Sequence, residues 1–173
     1  TDAVAGVAEA LGHGADRLTL DAVAAEAGVS KGGLLYHFAS KDALVRGMTE
    51  AYLRDCSDRL QDELAREPVG RPGRWLRAYI RARFNETPVS LELVAAFNVA
   101  LGTDPALMQL ILDDLQDALK AALDDGLEPA HALLIHMAVE GYYQTHMISG
   151  LPIDDSLRTA LCERLLVLTE IDA

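Results

Sequence analysis

The residues best suited to a chemical role lie close together between Leu18 and Phe38. Ser30 and Lys31 follow a glycine turn and open an expected helix. In a helix-turn-helix the first residues of the second helix face base edges in the major groove, and a lysine there can donate to the O6 and N7 acceptors of guanine. If this segment is such a motif, its chemistry is recognition of double-stranded DNA.

Two short helices joined by a tight turn would position these residues. Such a motif needs a small residue where the helices touch, a glycine that accepts positive φ in the turn, and apolar residues that pin the second helix. Ala24 and Gly28 meet the first two needs, and the apolar set is Val23, Val29 and Leu34. An ordinary αα-hairpin uses the same pattern, so the bare pattern leaves both interpretations open.

The surrounding residues resemble the N-terminal DNA-binding domain of TetR-family regulators. The matching elements are Thr19, Ala24 to Ser30, Lys31-Gly32-Gly33-Leu34, Phe38, and Ser40 to Leu44. The resemblance covers about residues 2–48, whereas the remaining chain fits the family only in the number and length of its expected helices. It implies an all-α transcriptional regulator that binds a palindromic operator as a homodimer and responds to a small-molecule effector, as a repressor.

The resemblance and side-chain chemistry together assign eight DNA-binding residues. Base edges would be read by Ser30 and Lys31, next to a backbone that can approach DNA closely because two glycines follow. Hydroxyl, imidazole and ammonium groups suit phosphate contacts. The expected DNA-binding set is Thr19, Ser30, Lys31, Gly32, Gly33, Tyr36, His37 and Lys41.

One position departs from the family pattern. The family places Tyr directly after the leucine of its Lys-Gly-x-Leu element, but here Leu35 stands there and Tyr36 comes one residue later. One residue turns a helix by about 100°. Tyr36 therefore cannot make the usual contact unchanged, and Leu35 is left either to meet a thymine methyl group or to pack in the core.

The elements that must hold these residues are predicted to be about nine helices. Glycine and proline fall where helices should end, and no segment alternates apolar and polar residues as a strand would. The expected helices span about 2–11, 19–28, 30–38, 40–66, 74–86, 89–101, 105–125, 129–149 and 154–171. Residues 1–48 are expected to form a three-helix DNA-binding domain with a truncated N-terminus, and residues 49–173 a larger ligand-binding and dimerisation bundle.

The larger bundle contains candidates for an effector pocket. His136, Glu140 and Tyr143 recur on one face of an otherwise apolar helix, where polar groups need a partner such as a ligand, each other or a second subunit. A metal site would need a third ligand at a diagnostic spacing, and none is present. Aromatic and methionine residues add adaptable surface, with plain core packing as their alternative role. The expected pocket set is Trp75, Tyr79, Phe97, Met108, His136, Glu140 and Tyr143.

Two further patterns concern association and charge. Leu157, Leu161, Leu165 and Leu168 give the last helix an apolar stripe, and in the family the last two helices form the dimer interface. The segment 66–83 holds six arginines and one acid, which is typical of a solvated face, with a carboxylate ligand or a subunit partner as the alternative.

Composition limits the function classes. The net charge is −12, of which residues 1–48 carry about −2, and this argues against a general nucleic-acid binder, which would present a basic patch. Cys56 and Cys162 lack metal-ligand spacing, and we find no enzyme motif, cofactor motif or apolar run that could span a membrane. We expect a cytoplasmic, non-enzymatic regulator. The alternatives are a helical protein-interaction module without DNA binding and, less favoured, a small helical enzyme.

Overall fold

The computed structural model describes residues 24, 28, 30–85, 104–145 and 153–170. Their regular elements are helices, in agreement with the predicted all-α class. The helices are α1 (Lys31–His37), α2 (Lys41–Arg66), α3 (Arg74–Phe84), α4 (Pro105–Leu123), α5 (Pro129–Tyr143) and α6 (Asp155–Leu168).

The predicted count of about nine helices is wrong. The described residues hold six, of which five have at least eleven residues and α1 has seven. The helices expected at about 2–11, 19–28 and 89–101 lie outside the described residues, apart from the helical Ala24 and the turn residue Gly28. The count came from glycine and proline breaks, and such breaks limit where a helix can run without showing that each interval contains one.

Several described helix ends follow from local sequence. Ser30 and Ser40 each accept a backbone N–H from three residues on, at 3.0 and 3.1 Å, which is the bond of an N-cap. Glu128 and Asp154 cap α5 and α6 in the same way. Gly28, with φ of 65°, occupies the left-handed conformation that a turn glycine was expected to supply.

The chain packs as two compact units. One unit comprises residues 1–53 and 88–111, and the other comprises residues 54–87 and 112–173. Helices α2 and α4 each belong to both units, because their first residues lie in one and their last residues in the other. No helix within the described ranges is long and apolar enough to cross a membrane.

In the unit of residues 54–87 and 112–173, α3 is the central element, and it packs against α5 and α6. Its core includes Leu76 and Ile80 of α3, Ile135 and Val139 of α5, and Leu165 of α6. Asp125 ties the start of α3 to the end of α4, because its carboxylate accepts the N–H groups of Trp75 and Leu76 at 2.7 and 2.8 Å. These bonds satisfy N–H groups that lack a partner within the helix.

In the unit of residues 1–53 and 88–111, the described core is small. Leu44 and Val45 of α2 are buried, as is Ala24. A Cβ atom on Gly47 would lie 2.5 Å from the Phe38 ring, so α2 needs glycine there to accept that ring. Arg46 bonds Asp104 at 3.1 Å, and Asp104 also caps the first turn of α4.

Candidate functional site

Helix α1 presents exposed polar groups and an exposed aromatic ring. Ser30 begins the helix through its bond to the Gly33 N–H. Tyr36 is 87% exposed, and its ring meets the exposed His37 ring edge-on with 5.3 Å between centroids. Exposure of a tyrosine to this degree leaves its hydroxyl and ring available to a partner outside the protomer.

The glycines of α1 are not required by the fold of the protomer. Gly32 has no atom within 4 Å of the place where a Cβ would lie, and its φ is not positive. A Cβ on Gly33 would meet only the Ser30 hydroxyl, at 3.2 Å. Because glycine in a helix interior costs about 1 kcal/mol relative to alanine, its presence here favours a role in close approach by something external.

The other expected DNA-binding residues are placed as follows. Lys31 is the first residue of α1 and Lys41 the first residue of α2. Thr19 lies outside the described residues. Leu35, which stands where the family has tyrosine, lies within α1.

A cavity of about 250 Å³ lies within the unit of residues 54–87 and 112–173, between α2, α3 and α4. Its apolar wall includes Leu60, Trp75 and Ala118, and its polar wall includes Cys56, Arg59, Arg83, Asp114 and Asp117. The volume is below the roughly 300–1,000 Å³ of pockets for drug-sized molecules, so the cavity suits a small ligand.

The aromatic and charged residues beside this cavity form one connected network. Tyr79 stacks between Trp75 and His136, with centroids 4.6 and 5.6 Å away. The Tyr79 hydroxyl donates to Glu140 and accepts from Arg83 Nε at 3.2 Å. The Arg83 guanidinium also lies over the Tyr143 ring, 4.5 Å from its centroid.

Burial shifts the protonation equilibria of this network. Desolvation raises the pKa of Tyr79 well above its ordinary value, and it raises the pKa of Tyr143 to about 12. Desolvation lowers the pKa of His136, with Glu140 opposing and Arg83 assisting the shift. His136 Nδ1 is buried without a hydrogen-bond partner among the described residues, which fits a neutral imidazole.

The structure brings five of the seven expected pocket residues together. Trp75 and Tyr79 line the cavity, whereas His136, Glu140 and Tyr143 contact Tyr79 or Arg83 and do not line it. Met108 belongs to the other compact unit, and Phe97 lies outside the described residues. Sequence reasoning missed Arg83, Cys56 and the two aspartates, although the four-residue spacing of Tyr79 and Arg83 placed them on one face.

The arginine-rich segment is not a solvated face throughout. The Arg77 side chain is 4% exposed and donates to Glu67 at 2.8 Å, and Arg81 pairs with the same buried carboxylate. Arg74 donates to the carbonyl groups of Leu64 and Glu67. The expectation of a solvated face is wrong for Arg77, because Glu67, the single acid of the segment, is buried beside Arg77 as its counter-ion.

The described residues contain no group of three or more His, Cys, Asp and Glu side chains that could hold a metal ion. Cys56 and Cys162 are half-buried and are not joined by a disulfide bond.

Two family models match the sequence. The model of the bacterial regulatory proteins of the tetR family covers residues 4–48, and the model of the tetracyclin repressor-like C-terminal domain covers residues 73–170. The second model alone matches more than half of the chain. The chain therefore belongs to the TetR family of transcriptional regulators, as the resemblance of residues 2–48 indicated, and it is a DNA-binding regulator.

Solved structures support the same fold. A transcriptional regulator from Rhodococcus sp. Rha1 is 22% identical, with a TM-score of 0.71 over 98% of this chain and 95% of that one. A transcriptional regulator from Pseudomonas aeruginosa PAO1 is 21% identical, with a TM-score of 0.63 over 95% and 88%. A protein from Rhodococcus sp. described as a TetR-family transcriptional regulator is 19% identical, with a TM-score of 0.64 over 97% and 96%. No curated protein matches the sequence at a significant level.

Proposed function

We propose that the protein is a ligand-responsive repressor that binds a palindromic operator as a homodimer. Residues 1–48 form its DNA-binding domain, and residues 49–173 its ligand-binding and dimerisation domain. The observation that carries the proposal is α1, a capped helix with exposed polar residues and a glycine that the fold itself does not need. Membership of the TetR family supports it, because its members bind DNA and are generally not enzymes.

In this proposal α1 enters the major groove. Lys31 and Ser30 contact base edges, and the backbone at Gly32 and Gly33 approaches the DNA closely. Thr19, Tyr36, His37 and Lys41 contact phosphates, which positions the protein without reading sequence. Because only one lysine reads bases directly, DNA shape carries a large share of the specificity.

The second copy is proposed to pack on the outer faces of α5 and α6. Leu134 and Met137 of α5 are 59% and 56% exposed, and Leu157 and Val167 of α6 are 58% and 57% exposed. Large apolar side chains left in water at this density favour burial against another protein surface. An isologous dimer would bury the same residues of both copies and supply the two reading heads that a palindrome requires.

Helix α2 is the proposed route from ligand to DNA. Its residues up to Leu53 belong to the unit that contains α1, and its later residues line the cavity at Cys56, Arg59 and Leu60. A ligand that prefers one position of α2 shifts the population toward it. Half-sites lie about one helical turn apart, so a small change in head separation prevents both heads from docking.

A gel-shift salt titration with DNA from upstream of the encoding gene tests DNA binding. We expect a specific complex whose affinity falls steeply as salt rises, since phosphate contacts release counterions. Absence of any complex at low salt contradicts the proposed function. A ligand that releases the DNA while the distance between the two heads stays constant contradicts the proposed role of α2.

Sedimentation analysis tests the dimer. Leu134→Glu combined with Met137→Glu should produce a folded monomer that no longer binds the palindrome. Leu112→Glu is the matched control, because Leu112 is 41% exposed on α4 and belongs to neither α5 nor α6. A double variant that remains dimeric, or a control that dissociates to the same degree, contradicts the assigned interface.

A further inference from the structure

The cavity between α2, α3 and α4 has an apolar end and a charged end. Asp125 at the end of α4 caps the start of α3, which places Trp75 and Ala121 toward the same end. At the other end Arg83 donates to the Cys56 sulfur at 3.8 Å and interacts electrostatically with Asp114. A ligand that fills the cavity would therefore carry an apolar body and a polar or charged head.

Both arginines at the charged end already have carboxylate partners outside the cavity lining. Arg59 forms an ion pair with Asp55, one turn earlier in α2. Arg83 Nε lies 4.0 Å from Glu140 Oε1, and the Tyr79 hydroxyl hydrogen-bonds both side chains. The positive charge that the two guanidinium groups bring to the cavity is thus largely compensated by Asp55 and Glu140.

The two aspartates of the cavity are not compensated to the same degree. Asp114 and Asp117 lie one turn apart on α4 and line the cavity, and neither has a hydrogen bond or ion pair to another described residue. Desolvation raises the pKa of Asp114, and the charges of Glu140 and Asp117 raise it further against the opposing effect of Arg83. The cavity lining therefore holds two carboxylates and two guanidinium groups, and both guanidinium groups also face a carboxylate outside the lining, Asp55 or Glu140.

We propose that the effector of this cavity is a small organic cation with an apolar or aromatic body. Its charged nitrogen lies against Asp114 and Asp117, and its body packs on Trp75, Leu60 and Ala118. The inference rests on the proposed function, in which this cavity is the effector site. A carboxylate ligand is disfavoured, because its negative charge would lie beside the carboxylates of Asp114 and Asp117 and be repelled by them.

The apolar wall suits the body of such a ligand. Trp75 is half-buried and lines the cavity, so its indole ring offers an apolar surface on which an aromatic or aliphatic body can pack. Polar groups that fix orientation and apolar groups that supply burial are the usual division of roles in a small-molecule site. Ala82, Ala118 and Ala121 leave the space that the ligand body occupies.

Fluorescence of Trp75 provides a direct binding assay, because it is the single tryptophan of the chain. The full chain is titrated with benzyltrimethylammonium, whose charge does not depend on pH, with benzyl alcohol as a neutral analogue and with phenylacetate as an anionic one. We expect saturable binding of the cation, with an affinity at least about tenfold above that of either analogue, a difference of about 1.4 kcal/mol.

Two variants locate the cation. Asp114→Asn and, separately, Asp117→Asn should each weaken benzyltrimethylammonium binding by about threefold to tenfold while leaving benzyl alcohol binding unchanged. Asp124→Asn changes the net charge equally at an exposed position outside the cavity lining and should bind the cation as the unaltered protein does. Thermal unfolding of all three variants checks that each is folded.

The outcomes separate this inference from the function on which it rests. Equal or tighter binding of phenylacetate or benzyl alcohol, no saturable signal with benzyltrimethylammonium, or cation binding that Asp114→Asn and Asp117→Asn leave intact overturns the cation inference. None of these results affects DNA binding, which the gel shift measures without any ligand. Failure of the gel shift with a positive fluorescence titration overturns the repressor and leaves a cation-binding cavity.

Discussion

The described polar residues of α1 are exposed to water, whereas several polar residues of α3 are buried. In α1 the described side chains of Tyr36 and His37 point to water, and Gly32 leaves open space beside the backbone. In α3 seven of eleven residues are buried, among them Arg77 and Tyr79. The polar groups of α3 find their partners inside the protein, at Glu67 and at Glu140, whereas α1 offers its polar groups to a partner outside.

This difference in burial indicates that α3 stabilises the fold and that α1 is available for binding. A buried ion pair is held because separating it leaves an uncompensated charge in a poorly solvated place, so α3 and its partners form a rigid centre. An exposed, glycine-containing helix gains little from packing, and in the proposed function its free energy of binding comes from contact with DNA. Substitutions in α3 should therefore change the stability of the fold, and substitutions in α1 should change binding.

The largest effect is expected at Glu67. Glu67→Gln removes the charge that compensates the buried Arg77, which should lower the free energy of unfolding by about 3–5 kcal/mol. Asp155→Asn is the control, because the Asp155 side chain is 93% exposed and its ion pair with Arg158 contributes about 0–1 kcal/mol. Urea denaturation measures both variants, and equal losses would remove the contrast between buried and exposed pairs.

Lys31→Ala should affect binding without affecting the fold. We expect a loss of about 1–3 kcal/mol on the operator together with relaxed preference for its bases, because a base contact is lost. Lys41→Ala, at the start of α2, should weaken all DNA sequences alike and reduce the dependence of affinity on salt. Competition gel shifts with operator and random DNA distinguish the two, and a uniform loss in Lys31→Ala would assign that lysine to phosphate contact.

Gly32→Ala should separate stability from function within α1. Because the added Cβ meets nothing in the protomer, helix propensity should stabilise the fold by about 0.5–1 kcal/mol. The same methyl group should weaken DNA binding by obstructing close approach of the backbone. Gly33→Ala is the comparison, since its Cβ crowds the Ser30 cap and should give a smaller gain in stability. Unchanged operator affinity in Gly32→Ala would argue against close approach.

The smallest expected effect is a dependence of stability on pH at His136. Burial lowers the pKa of this imidazole below its ordinary value of 6.5, so the unfolded chain binds the proton more readily than the folded one. The stability that the fold gains from keeping this imidazole neutral is therefore complete above pH 6.5 and is lost as the pH falls below that value. His136→Phe keeps a ring beside Tyr79 and should flatten this part of the profile. Urea denaturation from pH 5 to 8 checks it, and identical slopes in both proteins would contradict the assignment.

Local patterns identified the helices well where a few residues decide the outcome. Helices were expected to begin at residues 30 and 40, where Ser30 and Ser40 cap the observed helices, and Gly28 has the positive φ that its turn required. Proline at 105 and 129 begins α4 and α5 as expected. Helix number was predicted less well, since turn residues show where helices stop and do not show that every interval between them forms one.

Partners distant in sequence could not be predicted from spacing. Glu67 lies ten residues from Arg77 and Glu140 lies 61 residues from Tyr79, and nothing in either local sequence specifies the other. Met108 entered the expected pocket set by residue type alone, and it belongs to the other unit. The cavity-lining Asp114 and Asp117 looked like ordinary surface residues of a helix.

The sequence by itself determined the all-α class, the family and the position of the helix that we propose reads DNA, because caps, glycine turns and the residues of Lys31 to Phe38 act over a few neighbouring positions. Only the tertiary structure decided which charges are buried together and which line a cavity. The physical reason is that desolvation and ion pairing depend on what surrounds a group in space, and α2, α3 and α4 bring together residues that the chain keeps far apart.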